Sequence, residues 1–209
     1  MTANRIRLIP LAGLFLAAAA CGGSAPADVA PRPIVGPEAL PPSPADVRFM
    51  TDMIGHHAQA IRISRWAPTH GAGPALSRLA ERIVVGQQDE IAIMQRWLRT
   101  HGHPEVQVDT LHAMGGTDHS MHMPGMLSPE DLARLDAAAG LEFDRLFLEY
   151  MIRHHKGALT MVDQLFGSQG AAQNDIVFRL ASDVYAEQST EISRMELMLD
   201  ALPAQGSNP

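Results

Sequence analysis

Cysteine and lysine each occur once in this chain of 209 residues, as Cys21 and Lys156. A single cysteine excludes an intrachain disulfide and a thiolate-built zinc site. A single lysine excludes a polybasic membrane patch. The formal net charge of −7 argues against nucleic acid as a partner, since phosphate contacts need clustered basic residues. Aromatic residues are scarce, at 5%. No segment sustains the apolar alternation of a strand. The apolar run at 8–20, LIPLAGLFLAAAA, is too short to cross a bilayer comfortably.

That run instead has the layout of an export signal. Arg5 and Arg7 form a basic start, and small residues lead to Cys21. Residues 1–21 are therefore expected to be a signal peptide of lipoprotein type. Cys21 would be the lipidated residue, the only link to a membrane, and would place the chain in the periplasm or at the cell surface. Ala18 stands where a lipobox has leucine, so ordinary cleavage near Ala20, releasing a secreted protein, is the alternative. Residues 22–43, rich in Pro and Ala, read as a disordered tether.

The remainder, 44–203, reads as all-α. Ser43 is a candidate N-cap with Pro44 at the first helical position. Helices are expected over about 44–66, 74–100, 141–166 and 172–202, with a short one opened by Ser128 and Pro129. The two halves repeat. FMTDMIGHHAQAI, from Phe49, aligns with FLEYMIRHHKGAL, from Phe147; QQDEIAIMQRWL, from Gln87, aligns with QSTEISRMELML, from Gln188. Repeat one (44–101) and repeat two (128–203) are each a helical hairpin, joined by a Met/His-rich loop at 102–127. Together they predict a four-helix bundle.

Helical phase assigns the polar residues. At 100° per residue, His57 and His155 fall at the centre of an apolar face, with His56 and His154 flanking toward its edge. On the partner helices, Gln87, Glu90, Gln188 and Glu191 occupy core-facing positions. Burying an unpaired amide costs roughly 2 kcal/mol or more, and a lone carboxylate far more. These groups need partners, and the histidines are the obvious ones. The layer has two readings: a hydrogen-bond network that fixes helix register, or a metal site in which histidines ligate and Gln/Glu orient them. Met53, Met94, Met151 and Met195, about one turn from the histidines, are core filler or additional ligands.

The loop is chemically distinctive. His101 and His103 lead into it, and His112, Met114, His119, Met121, His122, Met123 and Met126 follow. Some of these methionines could be buried against the bundle. Otherwise the mixture suits metal: thioether sulfur prefers Cu(I) and Ag(I), and imidazole accepts both copper oxidation states. Zinc rarely uses methionine, and calcium or magnesium would want clustered carboxylates.

The doubled motif, F-M-x-x-M-I-x-H-H-x-x-A-I followed by Q-x-x-E-I-x-x-M, resembles the domain of unknown function 305 family, over about 46–202. The resemblance implies a ferritin-like four-helix fold, export and an association with copper; the thioethers favour Cu(I), with silver as a surrogate. Leu148 replaces the Met50 of the first repeat, and Lys156 replaces Ala58, so the two sites need not be equivalent. No Glu-x-x-His pair occurs, so di-iron oxidation has little support. Three functions follow. The leading one is a non-enzymatic envelope protein that sequesters copper for tolerance or exchanges it with a donor or acceptor protein. The others are a redox enzyme with a bundle-core metal, and a structural lipoprotein whose polar layer only sets register.

Overall fold

The computed structural model describes residues 41–104, 106 and 123–203. Five helices follow in order: α1 (Pro44–Ser64), α2 (Pro74–Thr100), α3 (Pro129–Ala137), α4 (Leu141–Phe166) and α5 (Asp175–Asp200). No strand occurs among the described residues. The starts follow local chemistry. Ser43 and Ser128 each close a capping box, with Asp46 and Asp131 respectively, and a proline fills the first turn. The Asn174 side chain accepts from the amides of Ile176 and Val177, so α5 begins at Asp175 and not at 172. Helix α1 ends at Ser64, two residues short of expectation, because the chain turns from Arg65 to Gly71 ahead of Pro74.

Helices α1 and α2 pack as one hairpin and α4 and α5 as the other; α1 against α4 joins them, and α3 lies on α4. Two apolar clusters fill the interior. One holds the C-terminal half of α1, the N-terminal half of α2, the N-terminal half of α4 and Ile192 and Met195 of α5. The other holds mainly the complementary halves, including Met50, Met53, Met94, Met161 and Val184. The turn end of each hairpin therefore packs beside the open end of the other, and α1 runs antiparallel to α4.

Two buried aspartates at equivalent repeat positions fasten this exchange. Asp46 of α1 accepts the amide of Ala172, in the turn of the second hairpin, at 2.7 Å. Asp144 of α4 accepts the amide of Gly73, in the turn of the first, with both oxygens at 3.1 Å. Ala172 has φ 54°, a left-handed conformation unfavourable for a residue with a β-carbon, and the Asp46 bond helps to hold it. Burial, opposed by the Gly73 amide, raises the Asp144 pKa.

Candidate functional site

Between the two apolar clusters lies one polar layer. His56, His57, His154 and His155 are all fully buried there. His57 Nε2 meets Glu90 Oε2 at 2.6 Å, and His155 Nε2 meets Glu191 Oε2 at 2.7 Å. Each hairpin thus builds the same imidazole–carboxylate pair. An ionised carboxylate only accepts, so Nε2 carries the proton and donates. In both rings Nδ1 is buried without a hydrogen-bond partner.

The flanking histidines occupy a different place from the edge that phase within one helix assigns. The edge of each hairpin's seam is the face on which the hairpins meet. His56 and His154 are equivalent repeat positions, and their rings contact across the α1/α4 interface, centroids 3.8 Å apart. His56 Nε2 donates to the Pro124 carbonyl at 3.1 Å, leaving Nδ1 bare; neither nitrogen of His154 has a hydrogen-bond partner. Burial, and secondarily the neighbouring His57, pushes the His56 pKa down to about 3. Burial, followed by His56, holds His154 well below the usual imidazole value. Both rings are neutral near pH 7, the state in which imidazole binds metal.

The glutamines correct a second expectation. Gln87 and Gln188 are buried in the layer, but no histidine satisfies them: Gln87 Oε1 and both polar atoms of Gln188 have no hydrogen-bond partner. The glutamates already occupy the inward nitrogens of His57 and His155. An unsatisfied buried polar atom costs about 1–3 kcal/mol, and five ring nitrogens and three amide atoms of the layer are in that condition.

The methionines divide about the layer. Met53, Met94, Met151 and Met195 are fully buried. Met53 and Met94 belong to one apolar cluster, Met151 and Met195 to the other. Of the loop residues, His112, Met114, His119, Met121 and His122 lie outside the described residues, as does Cys21. His101 acts as a helix end: its Nδ1 donates to the Trp97 carbonyl at 2.8 Å, and its ring lies on Trp97.

The strap from Met123 to Leu127 returns across the α1/α4 interface. Gly157 of α4 is its seat, since a β-carbon there would overlap the Pro124 carbonyl. Gly125 has φ 77°, and a β-carbon on it would lie 2.6 Å from the Arg153 carbonyl. Gln59, at the repeat position equivalent to Gly157, grips Leu127 through both amide groups, at 2.8 and 3.1 Å. Met123 packs against the cluster containing Met53 and Met94, and Met126 is partly exposed. The pairing Gly157/Gln59 was visible as a break in the repeat, but its meaning required the strap.

Between α2 and α5 the bundle opens as a groove of about 810 Å³, lined by Gln87, Glu90, Gln188 and Glu191 of the layer and by Glu187. Partial burial, then Glu90, Glu191 and Asp183, raise the Glu187 pKa. Among the described residues no group of three or more His, Cys, Asp or Glu is arranged to hold a metal ion. The available donors are imidazole nitrogens with thioethers on either side, a set that fits a soft, low-coordinate cation better than a hard one.

Fold and layer together define an all-α, ferritin-like four-helix bundle of two repeated hairpins, with a buried histidine layer at their junction. The model of the family "Domain of unknown function (DUF305)" matches residues 46–199, and the chain belongs to that family. Among solved structures it is similar to a DUF305 protein from Streptomyces coelicolor described as secreted, with 27% identity, a TM-score of 0.65, and coverage of 79% of this chain and 98% of that one. A DUF305 fragment from Deinococcus radiodurans gives 28% identity, a TM-score of 0.66, and 78% and 100% coverage. CopM in its Cu(II)-bound form gives 28%, 0.60, and 74% and 95%; CopM is also solved in Cu(I)-bound and Ag-bound forms. A stretch of 46 residues is 37% identical to an uncharacterized protein of Acanthamoeba polyphaga mimivirus, spanning 30% of that protein.

Proposed function

We propose that this protein is an exported metal binder of the cell envelope, taking Cu(I), with Ag(I) as a surrogate, to sequester it or exchange it with another protein. The observation that carries this reading is the set of five buried ring nitrogens without hydrogen-bond partners, in histidines held by carboxylates in both repeats. A network that only set register would gain from satisfying them. The lone pairs at Nδ1 of His57, His155 and His56, and either nitrogen of His154, are the candidate ligands. Met53, Met94, Met151 and Met195 are neighbouring thioether donors. Glu90 and Glu191 orient the rings and raise their basicity, the role carboxylates play behind metal-bound histidine. His112, Met114, His119, Met121, His122, Met123 and Met126 would form a second set. The relation to CopM, solved with copper and silver, supports the choice of ions.

Export rests on the amino-terminal signal pattern, and a lipid on Cys21 would be the membrane link; no described helix is long and apolar enough to cross a membrane. The reading is non-enzymatic. Titrating the purified mature chain with Ag(I) and Cu(I) against a competing chelator tests it. Binding that weakens when His56, His57, His154 and His155 are replaced by alanine supports the layer. A chain that takes up neither ion contradicts the proposal.

A further inference from the structure

Building on the metal-binding reading of the layer, we propose that cations reach the buried histidines through the groove between α2 and α5, with Glu187 as the collecting carboxylate. The α1/α4 face is covered: the Pro124 carbonyl occupies His56 Nε2, and Gly125 lies close against the α4 backbone. The groove instead exposes the layer's own polar residues. The Glu90 and Glu191 side chains are 11% and 23% exposed, whereas those of His57 and His155 are 0% exposed. A cation in the groove therefore meets the carboxylates first and the rings they hold next.

Charge and dehydration favour the same route. Arg78 and Arg82 line the groove against Glu81, Glu90, Glu187 and Glu191, four carboxylates to two guanidiniums. A cleft of one sign with low-dielectric walls concentrates counter-ions and raises association rates. Deeper in the groove stand Gln87 and Gln188, only 5% and 3% exposed, each with an amide oxygen lacking a hydrogen-bond partner. Those oxygens can replace water on an entering ion. Gly86 lines the groove, and a β-carbon there meets nothing within 4 Å.

The test follows Ag(I) uptake over time in nitrate buffer, quenched with a silver chelator and counted by mass spectrometry. The parent is the full chain with His112, Met114, His119, Met121, His122, Met123 and Met126 replaced by alanine and Cys21 by serine, so the layer is the main soft site left. Glu187→Gln should slow uptake about threefold at low ionic strength, with the difference lost in about 0.5 M nitrate and the final silver content unchanged. Gly86→Trp should slow it about tenfold or more, since the indole must move aside for each ion. Unchanged rates in a folded Gly86→Trp and in Glu187→Gln, with full uptake, overturn the route and leave the binder reading standing. No uptake by the parent overturns that reading and the route with it. If Gly86→Trp does not fold, Glu187→Gln at the exposed rim decides alone.

Discussion

Acid should destabilise this bundle well above the range in which its carboxylates titrate, and the magnitude follows from the central histidine pair. His56 has a pKa of about 3 in the folded chain, against 6.5 when free of burial. Between those values the unfolded state binds a proton that the folded state refuses. Stability therefore falls as pH drops below 6.5, by about 1.4 kcal/mol per unit for each such group. From pH 6.5 to pH 5, His56 alone removes about 2 kcal/mol. His154, displaced in the same direction by burial, adds to the loss. For a domain with the usual margin of about 5–15 kcal/mol this is a large fraction. Urea unfolding at half-unit pH steps, with the slope against denaturant checked for constancy, measures it. The double variant His56→Gln, His154→Gln should lose most of the pH dependence between 6.5 and 5. Stability that stays level over that interval, or a double variant with the parent's slope, would refute the assignment of two neutral buried imidazoles.

Gly157→Ala should lower stability by about 1–3 kcal/mol and expose residues 123–127 to protease, because its methyl group displaces the Pro124 carbonyl; unchanged melting and digestion would contradict the strap's seat. Asp46→Ala and Asp144→Ala should each cost about 1–3 kcal/mol in denaturant titration, by orphaning the amides of Ala172 and Gly73. If either is silent, that clasp between the hairpins is not holding the turn. Glu90→Gln and Glu191→Gln should leave the helix content unchanged but weaken Ag(I) binding about 10–100-fold in a chelator competition; undiminished affinity would remove the carboxylates from the site. Saturating Ag(I) at 100 times its Kd should raise stability by about 2.7 kcal/mol, reversed by chelator. An unshifted melt at that occupancy would mean that the ion binds the unfolded chain equally well.

The helices were legible because punctuation and periodicity agreed. Pro44, Pro74 and Pro129 mark starts that the structure keeps, and phase turns His57, His155, Glu90 and Glu191 inward, while leaving open which glutamate each histidine meets. Contacts between hairpins were less accessible. Phase on one helix places His56 and His154 at an edge, and only the antiparallel meeting of α1 and α4 turns that edge into the centre. Asp46 and Asp144 lie in the first turns of α1 and α4, and nothing local marks them as acceptors for the opposite turn, because that bond spans 126 residues in one case and 71 in the other. The partnerless glutamines show the limit of matching polar groups by need alone. Two acceptors competed for each inward ring nitrogen, and the carboxylate took it.

Crystals of the mature chain soaked with Ag(I), with the silver located by anomalous scattering, test the central claim most directly. The account predicts silver within bonding distance of an Nδ1 of the layer, with His57 and His155 still held by Glu90 and Glu191. Silver confined to the Met/His-rich loop, with the four rings unmoved and unligated, would contradict it.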